Sequence, residues 1–364
     1  NILNDYYIPF IIFVGLLGNM LSCIVFLTTH LKMRSSSYYL AALAVADFGF
    51  LTMLLLVYLS NAAILEVYNQ AGWCQLILYV SSVCGVLSVW LIVAFTVERF
   101  IAVQYPLQRP QICTVSRAKL IICVIVTIAL ISQSYTFITA GIVKRQDGTG
   151  ECALIQEHFN TMQTISIIDT IVALIGPFIL IVVMNTMIAR NLFLFRKRFQ
   201  NRMMLGDYLT TNDNRSDLNL HQIQYVGSRR TTSQQSNNST SRNHTSRSDV
   251  SGCIHSGRHF VSTRNQQNIT KMLLLISSVF ILLNLPSYVA RIYVFFFFSL
   301  WEEEPPTQLW CMQQFFMLLY YTNFSINFLL YAMCGITFRR CLWKMMRKNL
   351  KSLNRTCSTS QGSP

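Results

Sequence analysis

Apolar and polar positions follow one another along this chain in long blocks. They show neither the short alternation of a strand nor the one-sided stripe of a soluble helix. Seven blocks are almost wholly apolar, at about 6–29, 38–63, 74–105, 119–143, 162–195, 269–298 and 309–334. Each is near the roughly 20 residues that a helix needs to cross a bilayer's hydrocarbon core. The third is the clearest, because Leu76 to Thr96 contains no charged residue. The block at 337–349 is different. There Phe338, Leu342, Trp343 and Met346 interleave with Arg339, Arg340, Lys344 and Arg347, the pattern of a helix lying on a membrane surface. The prediction is an all-α membrane protein, a seven-transmembrane helix bundle with a short amphipathic C-terminal helix.

The blocks set the expected boundaries. Helices one to five occupy 1–199, a third inner loop 200–268, helices six and seven 269–334, the amphipathic helix 335–349 and a tail 350–364. The loop is rich in Ser, Asn, Thr and Arg. It cannot bury enough surface to offset the entropy of ordering, so it is expected to be disordered. Its several N-x-[ST] matches, such as those at Asn238 and Asn243, face the cytoplasm and are chance matches in a biased tract. Arg229-Arg230-Thr231-Thr232-Ser233 reads as a phosphorylation target, or equally as one more Ser/Thr tract beside arginines.

Composition agrees with the blocks. Of 364 residues, 52% are hydrophobic and only 12% charged, with a mean hydropathy of +0.41. The formal charge of +14 does not point to nucleic acid, because the cations flank apolar spans and do not share a soluble face with aromatics. They do fix orientation by the positive-inside rule. Lys32 and Arg34, then Arg109, Arg117 and Lys119, then Arg196 to Arg230, and finally the tail cations mark the cytoplasmic connections. The alternate connections carry Glu66, then Lys144 to Glu157, then Glu302, Glu303 and Glu304. The expectation is a multi-pass plasma-membrane protein with its N-terminus outside. The chain opens on Asn1 with a span already starting at Tyr6, so its natural start and any signal sequence are expected upstream.

Polar residues inside the spans carry the chemistry, since burying them in hydrocarbon is costly unless they pair or line a cavity. Asn19, Asp47, Ser88, Asn323, Ser325 and Asn327 lie there. A buried Asn or Ser is most often a satisfied helix–helix hydrogen bond. A buried Asp is either neutral or has a cation. Arg99, at the inner end of the third span, reads by itself as a snorkelling cation. The eleven cysteines are spread singly, and Cys23, Cys84, Cys123 and Cys334 sit within apolar runs as small hydrophobes. Outside the loop only His30 and His158 are available, one at each face, so no metal-dependent hydrolase is expected. A transporter would need matched repeats or broken helices in its two halves, and none is seen.

The assembled pattern resembles the rhodopsin-like, or class A, G-protein-coupled receptors. It rests on Gly18-Asn19, Leu43 to Asp47, Cys74, Glu98-Arg99-Phe100, Pro177, Phe280 with Pro286, Asn327-Phe328-Leu329-Leu330-Tyr331, and Phe338 with the basic helix after it. The passage Glu98 to Leu107 and the long third inner loop look like invertebrate neuropeptide receptors of the FMRFamide and thyroliberin type. The resemblance implies a Cys74–Cys152 disulfide. Both cysteines face the oxidising side, where Cys311 also lies without an obvious partner. It implies Arg99 as the cation that receives a heterotrimeric G protein, with Glu98 restraining it at rest and Phe100, Asn327 and Tyr331 in the coupling set. It implies a sodium site at Asp47, Ser88, Asn323 and Asn327, and no other cofactor.

Departures from the pattern are equally plain. Asn284 stands in place of the family's Trp, Phe328 of its Pro, Asn185 of its Tyr and Gln266 of its inner acid, and the fourth span lacks the usual Trp. These alter the expected details of activation. The residue seven beyond Cys74 is Ser81, where an amine receptor would have Asp, and the seventh span has Tyr321 where an opsin would have Lys. A peptide fits better. Its expected contacts are Tyr58, Ser81, Ser82, Asp169, Asn284, Tyr288, Arg291, Gln313, Tyr320 and Tyr321, with Asp169 and Arg291 meeting either the ligand or each other. A lipid or small-molecule ligand, or constitutive signalling, stands as the alternative. Arrestin would be recruited by phosphates on Ser352, Thr356, Ser358, Thr359 and Ser360. Membrane lipid would meet the amphipathic helix, with Cys341 or Cys357 as acylation points.

Overall fold

The computed structural model describes residues 3–144, 150–155, 159–213, 272, 274–290, 292–293 and 306–360. They fall into two compact units, Asn1–Ala189 with Asn268–Pro364, and Arg190–Gln267. In its described part the second unit is entirely helical. Arg291, Glu302 to Glu304, Gln266 and the loop residues from 214 to 268 lie outside the described residues.

Among the described residues, eight longer helices organise the fold. They are α1 (Ile8–Thr28), α2 (Ser35–Asn61), α3 (Trp73–Gln104), α4 (Val115–Ser132), α5, α6 (Leu274–Ala290), α7 (Thr307–Cys334) and α8 (Ile336–Ser360). Helix α5 has three parts, Phe159–Thr170, a π-helical turn Ile171–Ile175, and Gly176–Asp213. Among the described residues, six helices are long and apolar enough to cross a membrane, and α6 is a shorter apolar helix. Their outer faces carry Leu120, Ile131, Val172, Leu282 and Met333, each more than half exposed. Water would penalise such a surface at about 25 cal/mol per Å²; lipid tails cover it.

Inward, α1 packs on α2 and α7, α2 on α3, and α4 against both α2 and α3. The α1–α7 approach requires Gly18, where an added methyl would sit 2.8 Å from Phe328 Cβ. Helix α7 runs uninterrupted through Phe328, which retains the backbone donor that a proline would remove. Pro177 does disturb α5. The π-helical turn lies immediately before it and takes up the misfit of a residue without an N–H. Around Pro286, Asn284 Nδ2 donates to Phe280 O at 2.7 Å and Ser287 Oγ to Asn284 O at 3.0 Å. Both bonds lie in the turns flanking the proline, whose missing N–H would have served Leu282 O.

Three expected boundaries need correction. The fourth span does not continue to 143. Helix α4 ends at Ser132, a short helix follows at Thr136–Thr139, and β1 (Ala140–Lys144) pairs antiparallel with β2 (Gly150–Leu154), Ile142 opposite Cys152. Glycine at 141 and 150 and the β-branched Ile142 and Val143 suit a hairpin better than a helix. The third inner loop does not begin at 200, because α5 is helical to Asp213; Met203, Met204 and Leu205 are good helix formers and no proline intervenes. Nor does α8 stop at 349. It reaches Ser360, with neither Gly nor Pro between Ile336 and Ser360.

Candidate functional site

At the inner end of α3, Glu98 and Arg99 are almost completely buried. Arg99 Nη2 donates to Glu98 Oε1 at 3.2 Å, and Ser35 Oγ of α2 donates to the same oxygen at 2.8 Å. The Arg99 guanidinium also lies 5.5 Å from the Phe95 ring centroid, a cation–π distance. A desolvated ion pair of this kind is weak evidence for stability, and removing one partner would strand a buried charge. Arg99 Nε is buried with no hydrogen-bond partner among the described residues. The site therefore holds a spare donor. Beside it, Cys113 Sγ lies 3.9 Å from Glu98 O. Burial pushes the Cys113 thiol above its ordinary range, and the Glu98 carboxylate adds to the shift.

The other residues expected with Arg99 are placed apart from it. Phe100 is half-buried on α3. Tyr331 is fully buried, its ring 5.3 Å from Phe26 and 5.7 Å from Phe338, its hydroxyl without a hydrogen-bond partner among the described residues. Asn327 belongs to a polar layer at mid-bundle. There Ser88 Oγ donates to Asp47 Oδ1 at 2.8 Å, and Asn327 Nδ2 to Asp47 Oδ2 at 2.7 Å. Asn323 is buried, and its Nδ2 has no hydrogen-bond partner among the described residues. Nearby, Asn19 Nδ2 donates to Phe324 O at 2.8 Å and Ser325 Oγ to Ile11 O at 2.8 Å, which ties α1 to α7.

The outer halves are lined by rings. Phe50 of α2 stacks on Phe324 of α7 at 3.8 Å, and Tyr320 meets both Phe50 and Tyr288 edge-on. Tyr58, Tyr320 and Tyr321 pack on this cluster. Ser81, Ser82 and Gln313 are half-buried. Asp169 accepts a 3.3 Å hydrogen bond from Gln133 Nε2 of the chain just after α4, so this buried glutamine is its described partner. Asn284 is occupied on its own helix by one amide end, while its buried Oδ1 has no hydrogen-bond partner among the described residues. Above, Cys74 and Cys152 form a disulfide that fastens β2 to the start of α3, and Asn69 Oδ1 accepts from Cys152 N at 3.1 Å.

Sequence reading missed Ser35, Gln133 and Asn69. Ser35 stood in view as part of Ser35-Ser36-Ser37 at a span's inner end, where three hydroxyls entering a membrane helix need acceptors. It also missed Ser277, which accepts from Asn185 Nδ2 at 2.7 Å and joins α5 to α6.

Helical spans, a buried ion pair at the inner end of the third, a mid-bundle carboxylate and a disulfide-tethered outer hairpin together describe a transmembrane receptor, not an enzyme. The sequence profile of the 7-transmembrane receptors of the rhodopsin family matches residues 18–331, and the chain belongs to that family. It is similar to growth hormone secretagogue receptor type 1 of Homo sapiens, 29% identical over 143 residues, which cover 37% of this chain and 37% of that protein. It is also similar to thyrotropin-releasing hormone receptors. That of Gallus gallus is 30% identical over 184 residues, 50% of this chain and 46% of the relative. That of Mus musculus is 27% identical over 357 residues, 95% and 79%. The matched stretches thus span less than half of the first two relatives.

Proposed function

We propose that this chain is a cell-surface receptor that is activated by an extracellular neuropeptide and signals through a heterotrimeric G protein. The observation that carries the coupling is the buried Glu98–Arg99 pair with its spare Arg99 donor. A helix end presented from the cytoplasm can take that donor and compete for the guanidinium, which stabilises an arrangement in which the pair is open. The ligand reading is supported by the outer halves, whose rings and half-buried hydroxyls suit a ligand of mixed polarity, and by relatives named as receptors for secretagogues and a releasing hormone. The disulfide on the hairpin side supports a reading in which that side is the oxidising one and the N-terminus lies outside. Tail phosphates would recruit arrestin, and the basic face of α8 would lie on anionic lipid.

Sodium is the one ion this reading calls for. Asp47, Ser88, Asn323 and Asn327 would hold it through their side-chain oxygens, which a hard cation prefers, and the Asn327 amide that now donates Nδ2 to Asp47 would have to turn to offer its own. When bound, it would offset the buried carboxylate charge. Sodium-dependent thermal stabilisation of the purified protein, lost in Asp47→Asn, is the expected result; equal stabilisation in both would remove the site.

The main test is a second-messenger screen of cells expressing the full chain against a library of amidated neuropeptides, with Arg99→Ala as control. A saturable response lost in the control is expected. Signals indifferent to Arg99 would overturn the coupling. An Arg99-dependent basal signal with no peptide response would point to a lipid ligand or constitutive signalling.

A further inference from the structure

Helix α7 carries one stripe from its outer to its inner half, Tyr320, Phe324, Asn327 and Tyr331, at spacings of four, three and four that keep them on one face. Tyr320 heads the stripe and touches every neighbour. Its ring meets Tyr288 of α6 edge-on at 6.1 Å, Phe50 of α2 at 5.7 Å and Phe324 at 5.1 Å. Its hydroxyl reaches α3, where a methyl added at Gly85 would lie 3.1 Å from it. That is tighter than ordinary van der Waals contact, so the ring holds this pose because Gly85 has no side chain.

This ring layer sits one helical turn from the polar layer. Phe50 is three residues from Asp47 on α2, Gly85 three from Ser88 on α3, and Phe324 three from Asn327 on α7. The polar layer is where Asp47 holds Ser88 and Asn327. Phe324 stacks on Phe50 at 3.8 Å with an interplanar angle of 11°, so one ring cannot shift without the other. Asn284, by contrast, bonds back to its own helix through Phe280 O.

We propose that Tyr320 is the positioning residue through which occupancy of the outer half acts on the Asp47 layer, and that Gly85 sets its resting pose. This rests on the receptor reading above. A ligand that pushes Tyr288, or α6 as it moves, displaces Tyr320; Phe324 and Phe50 follow, and Asn327 and Asp47 lie one turn beyond. A ring held by contacts to four helices has discrete alternatives and no continuous range of poses, which is what a switch requires.

The test is Arg99-dependent basal nucleotide exchange on a purified G protein, using the full chain in membranes and correcting for receptor number. Gly85→Ala displaces the hydroxyl and should raise basal exchange about fivefold, at the low end of coupling energies between sites. Gly85→Ala with Tyr320→Phe removes the atom that clashes and should return exchange to within about twofold of the parent. A methyl that merely destabilised the fold would lower receptor number and would not raise exchange per receptor. Tyr320→Ala, which vacates the same space from the α7 side, should raise exchange as Gly85→Ala does, and it carries the test if Gly85→Ala fails to fold. Basal exchange unmoved by either variant, or raised equally in the double variant, overturns the proposal. Exchange that Arg99→Ala leaves intact in every background overturns the receptor reading instead.

Discussion

Removing the Ser35 hydroxyl probes the Glu98–Arg99 site through a residue that carries no charge. Ser35 Oγ donates at 2.8 Å to the same Glu98 oxygen that Arg99 reaches at 3.2 Å. Ser35 and Glu98 are each only 7% exposed, so water cannot readily replace the lost donor. A hydrogen bond to a charged group contributes about 1.5–3 kcal/mol. Taking the lower end, Ser35→Ala should shift the balance between paired and open Glu98–Arg99 about tenfold. A receptor open about 1% of the time would then be open nearly a tenth of the time. Basal nucleotide exchange on a purified G protein, corrected for receptor number, reads this directly. Glu98→Gln should raise exchange further. The double variant should match Glu98→Gln alone, because the serine acts through the glutamate and has nothing left to hold. A silent Ser35→Ala, or effects that add in full in the double variant, would refute the reasoning.

Other outcomes follow from the same geometry. Cys74→Ala opens a disulfide that closes a separation of 78 residues, a loss of about 4–5 kcal/mol on the chain-entropy model, and should abolish surface expression measured by flow cytometry. Gly18→Val places a side chain against Phe328, 2.8 Å from Gly18's added carbon, and should lower the thermal midpoint of the purified protein by the equivalent of about 1–3 kcal/mol. The raised thiol of Cys113 leaves less thiolate at a given pH, so its alkylation, followed by mass spectrometry from roughly pH 7 to 9, should begin at higher pH than that of a free cysteine. Glu98→Gln should bring that onset back toward the ordinary range.

The spans were legible because a bilayer imposes length and composition on each helix separately. Asp47, Ser88 and Asn327 were legible for a related reason: a polar side chain in hydrocarbon must have a partner, and few are available. What escaped was the choice of partner. Ser35 and Glu98 are 63 residues apart and meet through the rotation of α2 against α3, which no local pattern encodes. Gln133 and Asp169 are joined in the same way. The hairpin escaped because Ala140 to Val143 is apolar enough to pass for the end of a span, and only its pairing with Gly150 to Leu154 makes it a strand. The rings of the outer half were read as exposed to a ligand one by one. In the structure they support one another, because an aromatic side chain facing into a bundle meets the next helix before it meets solvent.

The Asn185–Ser277 bond joins two helices by uncharged groups. The charged restraint, by contrast, lies within α3 and α2. Opening Glu98 from Arg99 breaks no part of the Asn185–Ser277 bond, so these two described restraints are separable. The Asn185–Ser277 bond carries no charge for salt to screen, so this joint between α5 and α6 keeps its strength as ionic strength rises.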